Sequence, residues 1–162
     1  TGSIMNQRNQ KKILKVAKLE QTARKLHATS GTAKAIDVMN QAKNLWNEMV
    51  ESDPYYSKTA IMITSELKDI ESLKVFMEHG KENGIEFNIQ DHKGRSAFIH
   101  ACQETGDLEA REDTVQIFLQ NAEELQINLQ LKDDYGKNGF QYLSEELKAR
   151  FETNYPRFFE NQ

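Results

Sequence analysis

Cysteine is all but missing from this chain. Cys102 is the only one in 162 residues, so no internal disulfide can form, and the composition suits a reducing compartment. Two prolines and eight glycines exclude collagen-like and proline-rich chains. No apolar run approaches the roughly 18 residues that span a bilayer, and no apolar signal-peptide core stands near the start. There is no glycine-rich phosphate loop, since Gly136-Lys137-Asn138-Gly139 reads as a turn. None of His27, His79, His92 and His100 has a partner at zinc spacing. The acidic pairs Glu123-Glu124, Asp133-Asp134 and Glu145-Glu146 lack a calcium-loop pattern and read as solvated faces. The expectation is a chain without catalytic residues, metal or cofactor, located in the cytoplasm or nucleus. Thr1, Gly2 and Ser3 read as a cloning remnant, with Met5 a candidate natural start.

The length suits one domain. Apolar residues make up 38% and charged residues 28% of the chain, with a mean hydropathy of −0.74. Such a chain carries much surface per unit of core, as an elongated shape would. The net charge of −4 conceals an asymmetry: residues 1–50 sum to +6 and residues 51–162 to −10. The two parts face different surroundings, or the basic part lies on the acidic one.

Sliding the sequence by 42 residues superimposes 75–98 on 117–140 without a gap. Phe76 meets Phe118, Ile85 meets Ile127, Phe87 meets Leu129, Asp91 meets Asp133, Gly94 meets Gly136 and Phe98 meets Phe140. A weaker copy from Thr59 to Gly80 aligns with Ser96 to Ala122, with Thr105 and the stretch Ala110–Asp113 as insertions. Within one unit, Asp91-His92-Lys93-Gly94 is a turn whose glycine supplies positive φ. Ser96 caps a short helix carrying Ala97, Phe98, Ala101 and Cys102, which places Cys102 in the core. Thr105-Gly106-Asp107 breaks that helix, a second runs from about Asp113 to Leu125, and Ile127–Leu131 alternates as an extended return.

This turn–helix–turn–helix–return unit resembles the ankyrin repeat over about residues 53–148, in the copies S-K-T-A-I-M-I-T, D-H-K-G-R-S-A-F-I-H-A and D-D-Y-G-K-N-G-F-Q-Y-L. The Thr-Pro-Leu-His tetrapeptide is missing from all three. The family's His position holds Met62, Ile99 and Gln141, so its hydrogen-bond network is absent or replaced. The resemblance implies an all-α, ankyrin-like helical solenoid with short turn or β-hairpin-like fingers. Its repeats would cover about 53–90, 91–132 and a partial 133–162 ending in a C-terminal cap, with Pro156 stopping or bending the last segment.

Residues 4–51 read as an N-terminal αα-hairpin ahead of a repeat region at 52–162. The first helix, over 6–28, is polar and reads as loosely docked. Thr32 caps the second, whose wide stripe of Ala35, Ile36, Met39, Ala42, Leu45, Trp46, Met49 and Val50 is the natural cover for the end of the array.

The resemblance implies a non-catalytic adaptor or scaffold that binds another protein with its turn tips and concave face. Carried over by position, the tips are Tyr55, Tyr56, Lys58, His92, Lys93, Arg95, Asp134, Tyr135 and Lys137, and the groove-facing helix positions are Glu66, Gln103 and Glu104. His100 falls on a first helix, on the groove side. Tyr and Arg favour an interface, with packing of Tyr55 and Tyr56 on the hairpin as the alternative for those two. Two alternatives stay open. The first helix carries seven positive charges between Arg8 and Lys25, with Glu20 the only acid, which suits a nucleic acid or another acidic surface. The Trp46 stripe, if it does not cap the array, suits self-association.

Overall fold

A computed structural model describes residues 4–50 and 58–160. Tyr55 and Tyr56 lie outside the described residues. The described chain is all-helical, with seven α-helices, two 3₁₀ turns and no strand. Its one β-bridge is the isolated antiparallel pair Gln90–Ser96, so the expected fingers are tight turns here. No described helix is long and apolar enough to cross a membrane.

The first two helices, α1 (Gln10–Thr29) and α2 (Thr32–Met49), form an antiparallel hairpin. Gly31, at φ +103°, caps α2, and Thr32 is the first helical residue rather than the cap. The ion pair Lys12–Glu48 (3.1 Å) ties the start of α1 to the end of α2. Trp46 is fully buried in the core, while Ile36 at the other end of the same stripe is exposed.

The helix that lies against the rest of the chain is α1, not α2, which reverses the expected roles. Its buried face is Ile13, Val16, Ala17, Glu20 and Ala23, at helical spacing. Glu20 is completely enclosed, and both its carboxyl oxygens accept from the backbone N–H of Ala60 (3.2 and 3.1 Å). Ala60 is the first residue of α3 (Ala60–Glu66), so Glu20 serves the unsatisfied amide end of a helix on another element. Gln21 adds bonds to the carbonyl of Gly84 (2.7 Å) and from the N–H of Glu86 (2.7 Å). Gln10 meets the His79 ring at 3.1 Å, and the Ile4 N–H donates to Asp69 (2.8 Å). Polar contacts thus fix a helix whose composition suggested weak docking.

Beyond the hairpin run three helical pairs. The first is α3 with α4 (Ile70–His79), the second α5 (Ala97–Cys102) with α6 (Leu108–Asn121), and the third the 3₁₀ turn Gly139–Tyr142 with α7 (Glu145–Asn154). The first members are capped in the same way: the side chains of Thr59, Ser96 and Asn138 accept from the N–H three residues on. Asp69, Asp107 and Ser144 do the same for the second members. First members pack side by side, α3 on α5 and α5 on the 3₁₀ turn, and α4 packs on α6. Because Asp107 caps α6, that helix begins at Leu108. The expected start at Asp113 is therefore late, and Ala110–Asp113 lengthens a helix instead of bulging from it. The return after α6 is not a strand, but Ile127 and Leu129 are buried between exposed Asn128 and Gln130. Pro156 opens a 3₁₀ turn, Pro156–Phe158, at the chain's end.

An aromatic row runs through the pairs. The Phe98 ring lies 5.7 Å from Phe118 and 5.1 Å from Phe140, and Phe140 lies 4.6 Å from Phe159. Buried rings this size dominate a core of this length. Lys68, at φ +56°, is also buried, and its ammonium donates to the carbonyls of Ser65 (3.3 Å) and His100 (2.8 Å). It thereby joins the negative ends of α3 and α5. Burial draws its pKa down to about 8.

Burial pushes the Glu20 carboxyl up to about 8, with the Ala60 hydrogen bond and Arg24 opposing only in part. A folded pKa above the unfolded value means that the folded chain holds more protons from pH 4.5 to 8, so Glu20 makes stability fall as pH rises through that window. Glu20→Gln is expected to remove that slope, about 1.4 kcal/mol per pH unit at most, and thermal melts across the window measure it.

Candidate interaction surface

Two turns built alike carry the tips. In the first, one Asp91 oxygen accepts from the N–H groups of Lys93 and Arg95 (both 2.9 Å). The other accepts from the His100 ring (3.0 Å) and the Arg95 guanidinium (3.0 Å). In the second, one Asp133 oxygen accepts from the N–H groups of Tyr135 (2.9 Å) and Lys137 (3.0 Å), and the other from the Tyr142 hydroxyl. Each turn closes with a glycine N–H on the aspartate carbonyl, Gly94 to Asp91 and Gly136 to Asp133 (both 2.9 Å). His100 and Tyr142 are a repeat apart, like the aspartates. Each is a ring donor one position past Ile99 and Gln141 respectively.

Burial alone would raise the Asp91 carboxyl, but the Arg95 N–H, the His100 ring, the Lys93 N–H and the Arg95 charge outweigh it and hold the group below the usual carboxylate range. Asp133 is likewise held down, against burial, by Tyr142 and the Lys137 and Tyr135 N–H groups. Burial and the hydrogen bond to Asp133 in turn push Tyr142 up to about 12. Burial drives His100 down to about 4, against its bond to Asp91. His100 is therefore neutral at physiological pH and donates through Nε2, which corrects its expected groove position: the ring is completely enclosed. Cys102 is also enclosed, and burial raises its thiol.

The turns are tied to one another. The Asp134 N–H donates to the Lys93 carbonyl (3.0 Å), and the Gln90 amide donates to the carbonyls of Gly94 (2.8 Å) and Lys132 (2.9 Å). A Cβ on Gly94 would stand 2.8 Å from Asp134 Oδ1 and 3.0 Å from the Asp133 Cα, at φ +76°. That glycine serves both the turn and the approach of its neighbour.

On this frame the expected tip residues divide. His92, Lys93, Asp134, Tyr135 and Lys137 are exposed, and Tyr135 keeps 81% of its surface open. The Lys137 ammonium lies 5.5 Å from the centre of the Tyr142 ring. Arg95 faces inward instead, its side chain only 18% exposed and paired with Asp91. Lys58 and Glu66 are brought together at 2.6 Å and neutralise each other. Gln103 caps the end of α5, half-buried, and Glu104 is exposed. The Thr105 hydroxyl donates to the Glu66 carbonyl (2.8 Å), which joins that end of α3 to the segment after α5. Lys58, Arg95 and Lys137 each stand immediately before a cap, so a positive residue recurs once per pair. Sequence reasoning placed His100 on the groove side and did not single out Tyr142, although the two share a column 42 residues apart.

Among the described residues, no group of three or more His, Cys, Asp or Glu side chains is placed to hold a metal ion. Trp46 lies in the core and is not open to a second copy. Neither the family models nor the curated proteins compared with this chain match it.

Gly94→Ala is expected to cost about 1–3 kcal/mol from strain at positive φ, plus the displacement of the second turn. At Gly136, where φ is +74° and nothing stands within 4 Å of a Cβ, the same change costs only strain. Urea unfolding of the two variants separates the terms. From pH 6.5 down to about 4 the unfolded chain takes up the His100 proton first, so His100 makes stability fall as pH falls. Between pH 4.5 and 6.5 this opposes Glu20, and wild-type stability is expected to be flat there and to decline from 6.5 towards 8. His100→Gln is expected to unmask the Glu20 slope in thermal melts down to pH 4.5.

Proposed function

We propose that the three helical pairs form a short, divergent ankyrin-like stack that binds another protein through its turn tips and concave face, without catalysis. The observation that carries this reading is the open Tyr135 ring on a turn that Asp133 fixes at two backbone amides. Tyrosine combines a large apolar ring with a polar hydroxyl and is enriched where proteins meet. Here its backbone is already ordered, so little conformational freedom remains to be lost on binding. Lys93 and Lys137 are exposed on the same two tied turns, polar groups of the kind that rim a hot spot. The 42-residue spacing, the recurrent caps and the side-by-side first helices support the stack.

The test is affinity capture from a native extract with wild type beside a Tyr135→Ala, Lys93→Glu variant. Both side chains are open, so the fold should survive, whereas Arg95 belongs to the Asp91 network and is left intact. A partner protein is expected on wild type and at least about tenfold less on the variant, the loss of one hot spot. Equal capture by both would take function away from the tips.

A further inference from the structure

The lysines of α1 do not all serve the fold. Lys12 pairs with Glu48, but Lys11, Lys15, Lys18 and Lys25 are exposed and form no ion pair with any described residue. Their spacing of i, i+4, i+7 and i+14 puts them on one face, about 21 Å from first to last at the α-helical rise. The only acid on α1, Glu20, is buried on the opposite side. Leaving like charges unpaired along one face costs energy unless something anionic comes to lie there.

A face that carries acids and no exposed base exists on the same molecule. Along the outer side of α6 and the turn after it stand Glu109, Asp113, Gln116, Gln120 and Glu123, at i, i+4, i+7, i+11 and i+14, with Glu124 beside the last. Arg150 holds Glu112 and Arg157 holds Glu123, but Glu109, Asp113 and Glu124 have no ion pair with a described residue. No ion pair joins the two faces within one copy, because α1 lies against α3 and α4.

We propose that copies of this chain associate head to tail, the lysine face of α1 on one copy lying along the acidic face of α6 on the next. A second copy fits better than other anionic partners. For nucleic acid, α1 carries no Phe, Tyr or Trp on which single-stranded bases could stack. A bilayer surface would need apolar side chains to insert, and the exposed large hydrophobics Ile36, Leu108 and Tyr135 all lie off α1. A head-to-tail contact is heterologous: it uses one face of each copy and leaves the other free for the next. Without an apolar centre the contact is weak and salt-sensitive, as exposed ion pairs are.

Sedimentation velocity on the full chain tests this, at about 20 mM and about 500 mM salt, on either side of effective screening. Wild type is expected to gain mass with concentration at low salt and to be monomeric at high salt. Lys11→Glu, Lys15→Glu, Lys18→Glu in one variant, and Glu109→Lys, Asp113→Lys, Glu124→Lys in another, should each weaken association about tenfold or more. Circular dichroism confirms that both remain helical. Mixing the two variants recreates the opposite charges and should restore association. A monomeric wild type at low salt, or a mixture that fails to reassociate, overturns the proposal. So does binding of a labelled duplex DNA to wild type that the first variant loses while self-association is absent. The Tyr135→Ala, Lys93→Glu variant should self-associate like wild type, which keeps this outcome separate from that of the tip surface.

Discussion

A carboxylate taken out of water must be paired or hydrogen-bonded, or it unfolds what surrounds it. Asp91 and Asp133 meet that demand in full, and most of the molecule's order follows from how they do so. One oxygen of each gathers two backbone amides and so sets the turn. The other takes a ring donor nine residues on, and so fixes the turn to the short helix it precedes. Removing either carboxylate would release amides, ring and turn together, which is why neither the turns nor the first helices can be considered alone.

The hairpin and the pairs are joined by the same kind of interaction at larger scale. Glu20 stands at the amino end of α3, while the Lys68 ammonium lies between the carboxyl ends of α3 and α5. Each places a polar group where a helix leaves backbone unsatisfied, and both are buried. Side chains normally found on the surface thus hold the seams between elements, with the phenylalanine row behind them. Their titration makes these seams sensitive to pH, and because Glu20 and His100 act with opposite sign the sensitivity is partly concealed.

Much of this was legible. The 42-residue offset exposed the apolar columns, the aspartates and the turn glycines, because packing and positive φ restrict residue type at fixed positions. Ser96 and the first-helix face followed from local rules. The roles within the hairpin did not, because polar composition suggests exposure, and nothing in spacing alone says that Glu20 is bonded forty residues away. Yet Glu20 falls on the same stripe as Ile13, Val16, Ala17 and Ala23, which is where a paired carboxylate would be sought. The start of α6 is obscured because Ala110–Asp113 aligns as an insertion, although Asp107 is a competent cap. For the tips, sequence position identified which residues stand on the turns but could not separate the inward Arg95 from the outward Lys93. That depends on which side chain reaches Asp91.

The paired turns also divide labour in a way that bears on change over time. Asp91, Gly94, Asp133 and Gly136 are bound by geometry, and a substitution at any of them has structural consequences. Between them Lys93, Asp134 and Tyr135 are exposed, and the turn bonds engage their backbones. A surface so arranged can exchange its vocabulary of side chains while its grammar stays fixed. Single substitutions there redraw the surface at little cost to the fold beneath.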